Sequence, residues 1–193
     1  MRSIFSAVAA ALLAVSVLAA CGSSDHHPQP SASQSAEADH NAADVAFAGA
    51  MIPHHEQAVE MAQMVPTNTK SQKMVDLANQ VIRSQTPEVQ AFRGLLMQWQ
   101  DGQDGGSASH GGMAMTGMVN QATMDRLRSL TGPAFDRLWL TSMIEHHRGA
   151  IAMAQDEVAH GKNPDATYLA KTIIREQQAE IDQMNQMLGA PGG

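Results

Sequence analysis

The segment MIPHHEQAVEMA, residues 51 to 62, recurs as MIEHHRGAIAMA at residues 143 to 154. The offset of 92 residues aligns more than the histidines. Leu77, Ala78, Ile82, Arg83, Gln85, Glu88 and Leu96 fall without a gap on Leu169, Ala170, Ile174, Arg175, Gln177, Glu180 and Leu188. The pattern reads as an internal duplication, with halves at about 41–100 and 133–189. Each half carries an HH segment and then a Q-x-x-E segment. Whatever one half folds into, the other must fold into as well.

Both segments repeat their apolar residues at helical spacing. With Met51 as origin and about 100° per residue, Phe47, Ala58, Ala62 and Val65 share one stripe, with His55 inside its edge. His54 and Met61 lie together on one flank, and Glu56, Gln57 and Glu60 face away. The second copy places Trp139, Met143, His147, Ala150 and Ala154 inward, with His146 and Met153 on the flank. In the later segments Gln85 and Gln177 sit near the stripe centre, and Glu88 and Glu180 near its edge. Four long helices are expected, at about 42–65, 69–100, 133–160 and 164–188. Asn163-Pro164 starts the last, and Gly161 and Gly189 end the third and fourth. Pro53 and Pro87 fall inside helices, where each removes a backbone hydrogen bond. Short connections make each half an antiparallel hairpin, and two such hairpins bury their stripes by forming an all-α four-helix bundle. A Gly- and Met-rich connection, residues 101–118, joins the halves, and a short helix at about 120–130 follows it.

The N-terminus stands apart. Arg2 precedes a small apolar run from Ala7 to Ala20, too short to span a bilayer and consistent with an export signal over residues 1–20. The run ends Leu18-Ala19-Ala20-Cys21, the pattern of a bacterial lipoprotein signal, and Cys21 is the single cysteine of the chain. Lipid on Cys21 would anchor the protein to the outer face of a bacterial membrane. The alternative is simple secretion with a spare thiol. Residues 21–40 are small, polar and Pro-containing, and read as a tether. The net charge of −7 and the lack of basic blocks argue against nucleic acid as a partner.

Aromatic residues make up only 4% of the chain, whereas methionine occurs 14 times. His54, His55, Met51 and Met61 recur as His146, His147, Met143 and Met153. Neutral imidazole and thioether together suit a soft cation such as Cu(I), whereas zinc usually takes thiolate, imidazole or carboxylate. Methionine also fills cores as a flexible hydrophobe. The His/Gln/Glu set also has a metal-free reading, in which His55 bonds Glu88, His147 bonds Glu180, and Gln85 and Gln177 complete a buried network. The connection HGGMAMTGM, residues 110–118, carries His110, Met113, Met115 and Met118 in a Gly-rich stretch with no core of its own. It reads as a soft-metal site, or as a low-complexity linker.

These residues resemble a family of bacterial exported proteins, catalogued as a domain of unknown function, that includes CopM-like copper-binding proteins. The doubled HH frame, the run GPAFDRLWLTSMIEHHRGAIAMA and HGGMAMTGM carry the resemblance, which spans about residues 41–189. It implies a ferritin-like bundle that binds copper outside the cytoplasm without catalysis, for buffering, transfer or tolerance. Copper ions and a copper donor or acceptor protein are the partners it implies, with no organic cofactor. Two other functions compete: a helical interaction module that binds no metal, and a ferritin-like di-metal oxidase. The oxidase needs E-x-x-H pairs, and the sequence contains none.

Overall fold

The computed structural model describes residues 39–100 and 116–189. The export signal, Cys21, most of the tether, and His110, Met113 and Met115 lie outside the described residues. Five helices follow in order: α1 Ala42–Asn68, α2 Gln72–Gln100, α3 Gln121–Ser129, α4 Gly132–His160 and α5 Pro164–Gly189. Among the described residues there is no strand, and no helix is long and apolar enough to cross a membrane.

The helix starts follow from local chemistry. Asn41 Oδ1 accepts the Ala43 and Asp44 amides, and Asp44 Oδ2 accepts the Asn41 amide in return, a capping box. Asn163 Oδ1 accepts the Asp165 and Ala166 amides, with Pro164 in the first turn of α5. α1 runs to Asn68, past the expected end near 65, although Pro66 lies within it. Asn68 Nδ2 donates to the Leu127 and Leu130 carbonyls, so it ties the end of α1 to the end of α3. Those side-chain bonds hold the extra turn despite the proline.

α1 packs on α2 and α4 packs on α5, giving two hairpins that meet mainly through α1 and α4. The hydrophobic core divides into two clusters. One holds Met61 and Val65, late in α1, with Phe135, Trp139 and Met143, early in α4. The other holds Phe47 and Met51, early in α1, with Ala150, Met153 and Ala154, late in α4. The two helices therefore run antiparallel, and equivalent residues of the two halves fall in opposite clusters. Trp139 Nε1 donates to the Met61 carbonyl at 2.8 Å, a buried bond that pins one hairpin to the other. Between the clusters lie the four histidines, Gln85, Gln177 and Glu180, all buried.

Candidate metal centre

The polar layer is built from the same positions of both halves. His55 Nε2 lies 2.8 Å from Glu88 Oε2, and His147 Nε2 lies 2.6 Å from Glu180 Oε2, each pair 33 residues apart in sequence. Both pairs join the two helices of one hairpin. Gln80 Nε2 adds a bond of 3.0 Å to the other oxygen of Glu180. Burial, reinforced by the nearby charge of Glu180, raises the Glu88 carboxyl to about 7.

His54 and His146 are arranged differently. They come from α1 and α4, one from each hairpin, and their ring centroids are 3.8 Å apart at an interplanar angle of 38°. Both are fully buried, so the flank of the apolar stripe is covered as well as its centre. A single helical stripe understates burial here, because α1 faces α2 on one side and α4 on another. Burial, with added repulsion from neighbouring histidines, lowers His54 to about 3 and His146 well below its ordinary value. Burial and His147 likewise bring His55 to about 3. These three rings are neutral at pH 7.

Neutral rings present lone pairs. His54 Nε2 lies 3.1 Å from the Thr116 carbonyl, which can only accept, so Nε2 carries the proton and Nδ1 is bare. Nε2 of His55 and of His147 is taken up by Glu88 and Glu180, so Nδ1 is the nitrogen left over on each ring. Nδ1 of all three is buried without a hydrogen-bond partner. Neither nitrogen of His146 has a hydrogen bond of ordinary geometry; the nearby His54 backbone favours its charged form only weakly. A ring that donates one N–H to an oxygen and leaves its other nitrogen open has the form of a metal-ligating histidine with its supporting partner. An unpaired buried nitrogen otherwise costs about 1–3 kcal/mol. The amides of Gln85 and Gln177 are also buried and unpartnered.

Among the described residues no three His, Cys, Asp or Glu side chains converge on one point as they would for a zinc or di-iron ion. The donor set fits a soft cation of low coordination number instead: two neighbouring imidazoles, with methionines in the core clusters that border their layer. Met51 and Met153 lie in one bordering cluster, Met61 and Met143 in the other, and all four are buried. Met118 is partly buried beside Thr116 and Gly117.

Two features escaped the sequence reading. The first is the end of the connection, residues 116–119, which lies across α1 and α4 as a strap. Gln57, expected to face solvent, exchanges two bonds of 2.8 Å with the Val119 backbone. Gly117 has φ 79° and rests against Gly149 of α4. A glycine inside a helix costs about 1 kcal/mol against alanine, and that was the available signal. The second is Asp44, fully buried, whose carboxylate accepts the Lys162 and Asn163 amides of the α4–α5 turn. Beside it Glu157 is buried and raised to about 8, by desolvation first and then by Asp44. Nothing in the sequence marks the reach of Asp44 to the other hairpin.

An all-helical bundle with a buried layer of four histidines defines a class before any particular relative is considered. The chain belongs to the DUF305 family, a domain of unknown function, which it matches over residues 44–188. A DUF305 protein from Streptomyces coelicolor, inferred to be secreted, is 32% identical with a TM-score of 0.70, over 78% of this chain and 96% of that one. CopM in its Cu(I)-bound form is 30% identical with a TM-score of 0.61, over 75% of this chain and 94% of that one. CopM has also been solved with Cu(II), with silver and in the apo form. An uncharacterized protein of Acanthamoeba polyphaga mimivirus is 43% identical over 53 residues, and this chain spans 35% of its length.

Proposed function

We propose that this protein is exported, is tethered to a bacterial membrane through lipid on Cys21, and binds copper as Cu(I) for buffering or transfer. His54 and His146 are the central ligands, with Met51, Met61, Met143 and Met153 as the nearby thioethers. His110, Met113, Met115 and Met118 form a second group of soft donors in the connection. The observation that carries the reading is the closely spaced His54–His146 pair, neutral and buried, with no hydrogen bond of ordinary geometry to either nitrogen of His146. The likeness to CopM, solved with Cu(I), Cu(II) and silver, supports copper as the cargo, and the neutral imidazole and thioether donors favour Cu(I). The likeness to a protein inferred to be secreted, together with the N-terminal signal, supports export.

A metal-free structural role is favoured for part of the layer by a specific observation. His55 and His147 already bond Glu88 and Glu180, which satisfies one nitrogen of each ring and fixes their orientation. In this reading they support the centre and His54 and His146 bind the ion. The test is an anaerobic Cu(I) titration against a chromophoric chelator. Tight binding that is lost in His54→Leu/His146→Leu locates the site in the bundle. Loss on replacing Met113, Met115 and Met118 instead moves it to the connection. No competition with the chelator in the unaltered protein sinks the copper reading.

A further inference from the structure

Residues 116–119 cover the turn of α4 that carries His146 and bond directly to His54. A methyl group at Gly149 would lie 2.4 Å from the Thr116 carbonyl oxygen and 2.6 Å from the Gly117 Cα. A methyl group at Gly117 would lie 2.7 Å from the Gly149 Cα and 3.0 Å from the Glu145 carbonyl. The strap therefore seats backbone on backbone, over the helical segment from Glu145 to Gly149. On its other side it is clipped to α1 by the two-way bond between Gln57 and Val119. Gln57 and Gly149 stand at the same position of the two halves, so one half supplies the clip and the other the bed. Neither residue offers a donor to the histidine pair, and neither is needed for the bundle's apolar core.

We propose that the 116–119 strap controls access to the His54–His146 pair, so that an ion enters and leaves by lifting it from Gly149 and Gln57. The pair is fully buried and the strap is the piece held over it by separable polar and backbone contacts. While seated, the Thr116 carbonyl holds the proton of His54 on Nε2 and keeps Nδ1 bare for the ion. The proposal rests on the copper reading for the identity of the ion, but not for the access step.

Two variants of the full chain test it. Gln57→Ala removes the clip. Gly149→Ala lifts the strap while improving the helix propensity of α4. Deuterium exchange at the Val119 amide reports whether the strap has undocked. The readouts are the rate at which excess chromophoric chelator strips Cu(I), and the carbethoxylation rate of His54 and His146 in metal-free protein. With Val119 exchange accelerated, both rates are expected to rise by about tenfold or more, as loss of two hydrogen bonds implies. Undocking that leaves carbethoxylation at the unaltered rate overturns the strap proposal. Should the unaltered protein hold no Cu(I), the copper reading fails, and a rise in carbethoxylation alone still upholds the strap.

Discussion

His146 and His147 are adjacent in sequence and equally buried, yet their replacement has opposite consequences. His147 bonds the Glu180 carboxylate, whereas His146 bonds nothing of ordinary geometry. Leucine at 147 removes the partner of a buried carboxylate and is expected to cost about 3 kcal/mol. Leucine at 146 replaces an unsatisfied polar ring with an apolar side chain, and is expected to stabilise the metal-free protein by roughly 1 kcal/mol. Urea denaturation of the two variants measures both. A large loss in His146→Leu would mean that the ring is structural. The His–Glu pairs were legible at this scale, because the Q-x-x-E motif stands at the same distance from HH in both halves. The burial of His54 and His146 was not, because a helical wheel drawn on one stripe cannot know that the helix has two packed neighbours.

Among the elements, α1 and α5 are started by side chains that also join the hairpins. Asn163 caps α5 and reaches across only by one long bond to the Asp39 carbonyl, so Asn163→Ala is expected to cost about 1 kcal/mol. Asp44 caps α1 and also receives two amides from the α4–α5 turn, so Asp44→Ala should cost more, about 3 kcal/mol, by leaving buried N–H groups unpaired. Equal effects in thermal or urea unfolding would show that the link between hairpins contributes nothing. Helix number, order and most boundaries were legible from apolar spacing, Asn-Pro and terminal glycines. The extension of α1 to Asn68 was not, because its cause lies in carbonyls of α3 about sixty residues away. Gly149 carried a signal without an address: its presence in mid-helix marked a close approach, but not which segment approached.

For the whole molecule, buried titratable groups act in opposite directions across the pH scale. His54, His55 and His146 remain neutral when folded, whereas unfolded they take protons below about 6.5. Stability is therefore lost as pH falls from about 6.5 toward 3, with Asp44, lowered mainly by backbone bonds against its burial, adding to the loss at the acid end. Glu88 and Glu157 keep their protons to about 7 and about 8 when folded, against an ordinary 4.5. Their contribution is complete below 4.5 and is lost as pH rises through 7 and 8. Three histidines outweigh two carboxyls between 4.5 and 6.5, so the metal-free protein is expected to be most stable near pH 6.5. Urea midpoints measured from pH 4 to 9 check this; a midpoint still climbing from 6.5 to 8 contradicts it. Glu157→Gln should flatten the alkaline side. None of this was readable in sequence, where Asp44 and Glu157 pass for ordinary surface acids.

The antiparallel meeting of α1 and α4 places like halves on either side of the histidine pair, with His54 and His146 as counterparts. A chain closed by pairing two like halves presents each half with a second suitor, the matching half of a neighbouring chain. In sequence the hairpins are separated by everything between the end of α2 at Gln100 and the start of α4 at Gly132. Reciprocal exchange would rebuild the same core twice, with every histidine pair now drawn from two molecules. Refolding at high protein concentration is therefore expected to yield a dimer that dilution releases only slowly, visible by size-exclusion chromatography. In such a dimer each His54–His146 contact would join two molecules, so that whatever the pair does would depend on protein concentration.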